Sequence, residues 1–500
     1  MIKNFKWLLL ASLAFVACDN EDEVKIDANS SDGKPLTAGS AVVTKYVALG
    51  DSYAAGYSDN ALFSLGQEGS YANIIAKQFA LAGGGEFKTP LMADNVGGLL
   101  LGGNVIAGPR LFFDLTPPPP FKSPTPLPVS GKPSTEVTTK LTGPFNNLGV
   151  PGAKSYHLIA PDYGNVAGVA GGLANPYFAR FATSASTTIV ADALAQDPTF
   201  FSLWIGGNDI LGYATSGGSG KNQTGNLDPK TYASNDITDP NVFASAYSSI
   251  VNALTAKGAK GVVANLPYVT ALPYFTTVPF NPVALSATNA SQLNSGYAQY
   301  NGGLQLMLKN KLLTPEEAAR RTINFKAGAN AVVIVDSYLT NLSAYGLPSY
   351  RHATVEDLII LPASSFIGTL VSANPAAING VSVPLADNWV LTKDEILEVK
   401  TATDAYNATI EAVAKAKGLA FVELKGVTDQ LAKGGIVYNG YTTTSAFVTG
   451  GMFSLDGVHP SPRGYAIIAN LFTEAINTKY GSNFKSVNVG LYRILYPESL

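Results

Sequence analysis

Apolar runs of strand length and segments of helical spacing recur along the chain in a readable order. Val42–Leu49 is a β-branched, apolar run, the pattern of a buried strand, and Ser70 to Leu81 follows with apolar residues at helical spacing. Phe200–Ile205 and Gly261–Pro267 are two more buried-strand runs, and Leu419–Val422 is a shorter one. Helical spacing returns from about Lys393 to Lys417, and again from Ser461 to Tyr480, which reads as the final helix. Between Tyr268 and Asn388 the pattern is less regular. It holds a helix ending near Lys311, a helical stretch at Pro315–Arg321, a strand-like Ala331–Val335 and the short apolar run Leu358–Leu361. At the other end, Met1–Lys6 is a cationic start and Trp7–Ala17 an eleven-residue apolar run, too short to span a bilayer as a mature helix.

Composition narrows the class. The 500 residues carry Lys+Arg 33 against Asp+Glu 36, a net charge of −3, and 46% are hydrophobic, which excludes a disordered, collagenous or nucleic-acid-binding chain as the global reading. Only 14% are charged, while Gly at 49 and Tyr at 24 are plentiful, so the surface is polar but uncharged, as in proteins working outside the cytoplasm. The single cysteine excludes an internal disulfide framework and a multi-cysteine zinc site. It is Cys18, directly after the apolar run, so residues 1–17 read as a signal peptide. Phe15-Val16-Ala17-Cys18 resembles the lipobox of bacterial lipoproteins, with Phe15 where leucine is usual; the resemblance implies lipid attachment at Cys18. Residues 18–40 then read as a solvated tether. Its acidic Asp19-Asn20-Glu21-Asp22-Glu23 resembles the export signal of surface-exposed lipoproteins in the Bacteroidetes. The expected location is therefore the bacterial outer membrane, held through the N-terminal lipid. Loss of Lys3 and Lys6 with the signal takes the net charge from −3 to −5, so attachment to an anionic membrane would rely on that lipid.

Four segments carry candidate chemistry. Gly50-Asp51-Ser52 ends the first strand, where a turn lifts the serine hydroxyl above the carboxyl edge of a sheet. Asn146–Gly152 is a turn whose two glycines and proline fix the backbone and leave the Gly149 N–H available to a ligand. Gly206-Gly207-Asn208-Asp209 closes the Phe200–Ile205 strand with a glycine pair for close approach and an amide donor. Asp456-Gly457-Val458-His459 sets an aspartate three residues before a histidine, so that it can accept from Nδ1–H while Nε2 faces a nucleophile. Of the other histidines, His157 and His352 read as packing or surface residues, and Asp51 and Asp209 as braces of their turns.

In this order the four segments resemble the conserved blocks of the SGNH, or GDSL, hydrolase family. The resemblance implies a three-layer α/β/α sandwich with a mainly parallel, flavodoxin-like sheet of five strands, and it implies metal-independent hydrolysis of carboxylic esters without a cofactor. It carries the nucleophile to Ser52, its base to His459, the orienting acid to Asp456, and the oxyanion donors to the Ser52 N–H, the Gly149 N–H and the Asn208 side chain. The implied partner is an ester substrate, an acyl lipid or an acylated glycan. The hydrolase domain would cover residues 41–480, with a tail at 481–500. Ser52 to Gly149 spans 97 residues and Asn208 to His459 spans 251, so two long insertions are expected, at about 83–140 and 268–388, as a lid or a substrate wall. Two other readings stay open: a carbohydrate-binding surface lipoprotein on the same fold, and acyl transfer to an alcohol other than water.

Other catalytic motifs are missing. There is no Gly-x-Ser-x-Gly elbow, and Gly217–Asn222 lacks the earlier glycine and the Ser/Thr after lysine of a phosphate loop, which leaves a flexible loop. The prolines from Pro117 to Pro128 suggest an extended spacer.

Overall fold

The computed structural model describes residues 27–118 and 124–500. Five parallel strands form the central sheet: β1 (Tyr46–Gly50), β2 (Asn147–Gly149), β3 (Phe200–Trp204), β4 (Lys260–Ala264) and β5 (Ala420–Val422). Their order is β5-β4-β3-β1-β2, every neighbouring pair parallel, with Gly50 opposite both Gly149 and Trp204. This is the flavodoxin-like order, whose direction reverses between β1 and β3, the place where open α/β sheets bind ligands. All five residues of β1 and of β3 are buried, which accounts for their largely apolar runs.

Helices cover both faces. On one, α2 (Tyr71–Leu81) packs against α8 (Pro462–Tyr480), with Tyr71 4.8 Å from Phe472 between ring centroids. On the other, α5 (Pro240–Thr255) packs against α7 (Lys393–Lys417), with Phe243 stacked on Tyr406 at 4.2 Å. Their ends follow from local chemistry. Ser70 caps α2 by accepting the Asn73 N–H; Thr392 and Glu395 form a capping box at the start of α7, and Gly418 ends it at φ 63°.

The two long insertions fold around this frame. In the first, Leu99–Leu101 pairs with Asn104–Ala107, and Leu111–Asp114 with Thr125–Pro128, both antiparallel. The proline-rich run is thus not simply a spacer: Pro126 and Pro128 belong to the second of these paired strands, while residues 119–123 lie outside the described residues. The second insertion is built on the helix Ala287–Lys309 and has small cores of its own, one around Tyr297, Phe325 and Val333 and one around Leu304, Met307 and Leu342. Two of its ion pairs are buried: Arg351 reaches Asp336 and Asp357, each at 2.6 Å.

Three expectations change. Gly217 and Gly218 are not a free loop: a Cβ on either would meet Asp387 O at 2.3 Å or Glu395 Cδ at 2.2 Å, so both are seated beside the start of α7. Residues 27–40 do not behave as a solvated tether, because Asn483 takes the Thr37 N–H at 2.8 Å on its side chain and the Ser31 N–H at 2.9 Å on its carbonyl. Nor do residues 481–500 trail as a tail: Phe484, Val489 and Tyr496 are buried. The signal segment 1–17, Cys18 and the acidic cluster lie outside the described residues. Among the described residues no helix is long and apolar enough to cross a membrane.

Candidate active site

The end of β1 places the serine. Gly50 has no room for a side chain, since a Cβ would lie 2.5 Å from Trp204 O of the neighbouring strand. Asp51 caps the short helix α1 (Ser52–Ala55) by accepting the Tyr53 N–H at 3.0 Å, and Gly56 closes it in a left-handed conformation. Ser52 is therefore the first helical residue, its N–H one of the donors a helix start leaves without an internal acceptor. Burial pushes the Asp51 carboxyl up to about 7, against the Tyr53 N–H that favours its charge.

His459 and Asp456 come from the loop before α8. His459 Nε2 is 2.8 Å from Ser52 Oγ, and Nδ1 is 2.9 Å from Asp456 Oδ2. Asp456 also accepts the Val458 and His459 N–H groups on Oδ1, both at 2.8 Å, and the Asn60 N–H on Oδ2 at 3.0 Å. Burial works against its charge, but His459 and these donors outweigh it and bring the carboxyl down to about 2. Tyr57 and Tyr53 pack beside the imidazole at 4.6 and 5.4 Å between centroids, and the Tyr53 hydroxyl donates to Val458 O at 3.1 Å. Asp59 braces the same loop, its carboxyl taking the Leu455 N–H at 2.9 Å and its own N–H meeting Ser454 Oγ at 3.0 Å. The contributions of Tyr53, Tyr57, Asp59 and Asn60 carry no signal in sequence beyond their nearness to Ser52.

On the opposite side of the serine, Asn208 opens the helix α4 (Asn208–Thr215) at the end of β3 and lines the cleft with Ser52 and His459. One hydrogen of its amide goes to Ala153 O at 3.0 Å, which leaves the other for a ligand. Asp209 is fully buried and accepts both the N–H and the hydroxyl of Ser155 at 2.8 Å, locking α4 to the loop after β2. Burial raises its carboxyl despite the Ser155 donors and nearby Lys154.

Gly149 requires correction. Asn147–Gly149 is not a loop but strand β2, and the Gly149 N–H is taken by Asn147 Oδ1 at 3.0 Å inside the fold. Its lack of a side chain serves packing: a Cβ would stand 2.3 Å from Ala55 N and 2.6 Å from Ala54 C. The glycine of this segment that faces the cleft is Gly152, exposed, at φ 80°, lining the site with Ser52, Asn208 and His459. Among the described residues no acceptor takes its N–H. The sequence holds a clue to this in the second glycine, three residues past the strand end, but only the register of β2 on β1 tells which one is buried.

The remaining histidines lie apart. His157 accepts the Lys154 N–H on Nδ1 at 3.0 Å and stacks on Tyr163 at 4.3 Å; burial, and then the Lys154 charge, bring it down to about 3. His352 takes the Asn324 N–H on Nε2 at 3.2 Å while Nδ1 meets Ala331 O at 3.2 Å, in the second insertion. The described residues contain no cluster of histidine, cysteine or carboxylate side chains fit to hold a metal.

No family model and no curated protein matches the chain. Among solved structures it is similar to LAE5, an alpha/beta hydrolase enzyme from the metagenome of Lake Arreo, Spain, at 9% identity and a TM-score of 0.33, over 87% of this chain and 96% of that one. It is also similar to a catalytic mutant of Axe2, an acetylxylan esterase from Geobacillus stearothermophilus, at 11% identity and a TM-score of 0.32, over 89% of this chain and 97% of that one.

Proposed function

We propose that this chain is a serine carboxylic-ester hydrolase working through an acyl-serine intermediate. The observation that carries the reading is the continuous relay of Asp456 Oδ2, His459 and Ser52 Oγ, at 2.9 and 2.8 Å, set at the sheet's switch point. As Oγ attacks the ester carbonyl, its proton passes to His459 Nε2, and Asp456 stabilises the imidazolium and fixes the tautomer. The carbonyl oxygen, now negative, is received by the N–H groups of Ser52 and Gly152 and by the free amide hydrogen of Asn208. Collapse breaks the bond to the leaving alcohol, which takes the proton back from His459. Water then attacks the acyl-serine, His459 receives its proton, and the acid departs as Ser52 recovers its hydrogen.

The test is covalent labelling. A fluorophosphonate should attach to Ser52, found by peptide mass spectrometry, and hydrolysis of p-nitrophenyl esters should vanish in Ser52→Ala. Equal rates in wild type and mutant, with no adduct, would leave the carbohydrate-binding reading in its place. Attachment to the bacterial outer membrane through lipid on Cys18 is part of the proposal, supported by the cationic start, the short apolar run and the cysteine that ends it. Labelling with radioactive palmitate in cells should mark the wild type and not Cys18→Ser.

A further inference from the structure

A second, larger cavity adjoins the catalytic cleft. The cleft itself, around Ser52, Asn208 and His459, encloses about 370 Å³, while its neighbour encloses about 930 Å³, at the upper end of small-molecule sites. The two share Asn60, Tyr274 and Asp456 in their walls, so the larger opens onto the catalytic side chains at the acid–base end of the relay. Its walls come from both insertions. Leu111 and Phe113 stand two apart on one strand of the first, and therefore on one face, while Val278, Leu361 and Ile367 come from the second; Phe447 closes the side from the segment before α8.

The lining is mostly apolar, and its polar members other than Asp456 are neutral side chains such as Thr125, Thr277 and Ser364. Asp456 is the sole charged residue among the described lining residues, and its oxygens are already engaged by N–H donors. No cation is present among them to receive a phosphate or a carboxylate, and no exposed carboxylate to bind an amine. The lining offers neutral hydroxyl and amide groups but no free charge, and its apolar residues favour hydrocarbon, at about threefold to fourfold in affinity for each methylene buried.

We infer that this groove holds a long aliphatic chain of the ester substrate, so that the two insertions make the enzyme selective for lipid-like esters. The inference rests on the ester-hydrolase reading of the adjoining cleft. The same chain chemistry can enter from the acyl side or from the alcohol side of the ester, and kinetics separates the two.

The experiment compares two series on the full chain: p-nitrophenyl esters from acetate to laurate, and acetates of alcohols from ethanol to dodecanol. In one of them kcat/KM should rise at least tenfold with chain length, and that series identifies the side of the ester the groove receives. Phe113→Glu and Ile367→Glu place a charge at half-buried lining positions, one from each insertion. Each should lower the long-to-short ratio of kcat/KM by tenfold or more, and either one that folds, judged by circular dichroism and thermal midpoint, suffices. Binding is read separately by titrating Ser52→Ala, which cannot acylate, with cis-parinaric acid, an 18-carbon fluorescent chain, and repeating the titration with each glutamate added. Flat ratios in both series, with parinaric acid unbound, would overturn the groove while leaving the hydrolase intact. Parinaric acid bound and displaced by the added glutamates, in a wild type that cleaves no ester, would keep the apolar site and remove the catalytic reading instead.

Discussion

The position of each proton in the site follows from how each carboxylate is surrounded. Asp456 and Asp59 are both buried within one small volume, yet they are driven in opposite directions. Asp456 meets His459 and three backbone N–H groups and is brought down to about 2; Asp59 has burial as its main influence, then the Leu455 N–H against it and the Asp456 charge in support, and is pushed up to about 7. An aspartate in an unfolded chain titrates near 3.9. Asp456 therefore contributes stability above about pH 4 that is lost as pH falls toward 2, whereas Asp59 holds a proton in the folded state that the unfolded chain releases between about pH 4 and about pH 7, so its contribution falls as pH rises through that window. Asp59→Asn keeps an acceptor for the Leu455 N–H and cannot ionise. Its thermal midpoint should vary less between pH 4 and 8 than that of the wild type, and an unchanged slope would place the proton elsewhere. Asn208→Ala tests the other side of the serine. Removing one donor to the oxyanion should lower kcat by about 10²–10³ with little change in KM, and a loss confined to KM would mean that Asn208 binds substrate without stabilising the transition state.

Elements explain why two glycines three residues apart have different duties. Gly149 is paired with Gly50 in β2 and faces the backbone of α1, which cannot move aside without shifting Ser52, whereas the nearest atom to a Cβ on Gly152 is Asn175 Nδ2 at 3.9 Å. Gly149→Ala should therefore cost more than the roughly 1–3 kcal/mol of ordinary overpacking, and Gly152→Ala only about 1–2 kcal/mol for its left-handed backbone. Urea denaturation of both variants would show the order, and a larger loss for Gly152→Ala would refute the placement. The same pair marks how far the sequence could be read. The runs behind β1, β3, β4 and β5 are apolar enough to declare themselves, and α2, α7 and α8 carry their start and stop signals locally, as with Thr392, Glu395 and Gly418. Ser52 and Asn208 were legible because each opens a helix just after a strand, and Asp456 and His459 because they stand three residues apart on one loop. Asn147–Gly149 was not: three residues without a β-branched side chain become a strand only because the edge of β1 is there to pair with, and burial of the Gly149 N–H is a consequence of that register. In the first insertion, Leu99–Leu101 and Asn104–Ala107 pair locally across Gly102-Gly103, whereas the pairing of Leu111–Asp114 with Thr125–Pro128 was hidden by the prolines within and before its second strand.

At the scale of the whole molecule, the first insertion is tied to the end of the chain through one cation. Arg110 is 1% exposed and immediately precedes the strand that carries Leu111 and Phe113 into the groove. Its guanidinium gives Nε to Asn95 O at 2.9 Å and Nη2 to Pro497 O at 2.7 Å and Glu498 O at 2.8 Å, and it lies over the Phe63 ring at 5.4 Å. Tyr496 covers the same ring edge-on at 5.1 Å. The carbonyl acceptors of a buried charge are thus supplied by residues almost 400 positions away. Deleting residues 496–500 leaves that charge with part of its shell removed, a loss of about 3–5 kcal/mol for a buried ion stripped of partners, together with the packing of one aromatic ring. Arg110→Met is similar in length and has no charge to strand, so the deletion in that background should cost only the ring and its contacts. The two changes should therefore be non-additive, with the thermal midpoint of the double variant clearly above the sum of the separate losses. Strict additivity would mean that the guanidinium is satisfied without the chain end, and that the first insertion and the C-terminal segment are neighbours without being energetically coupled.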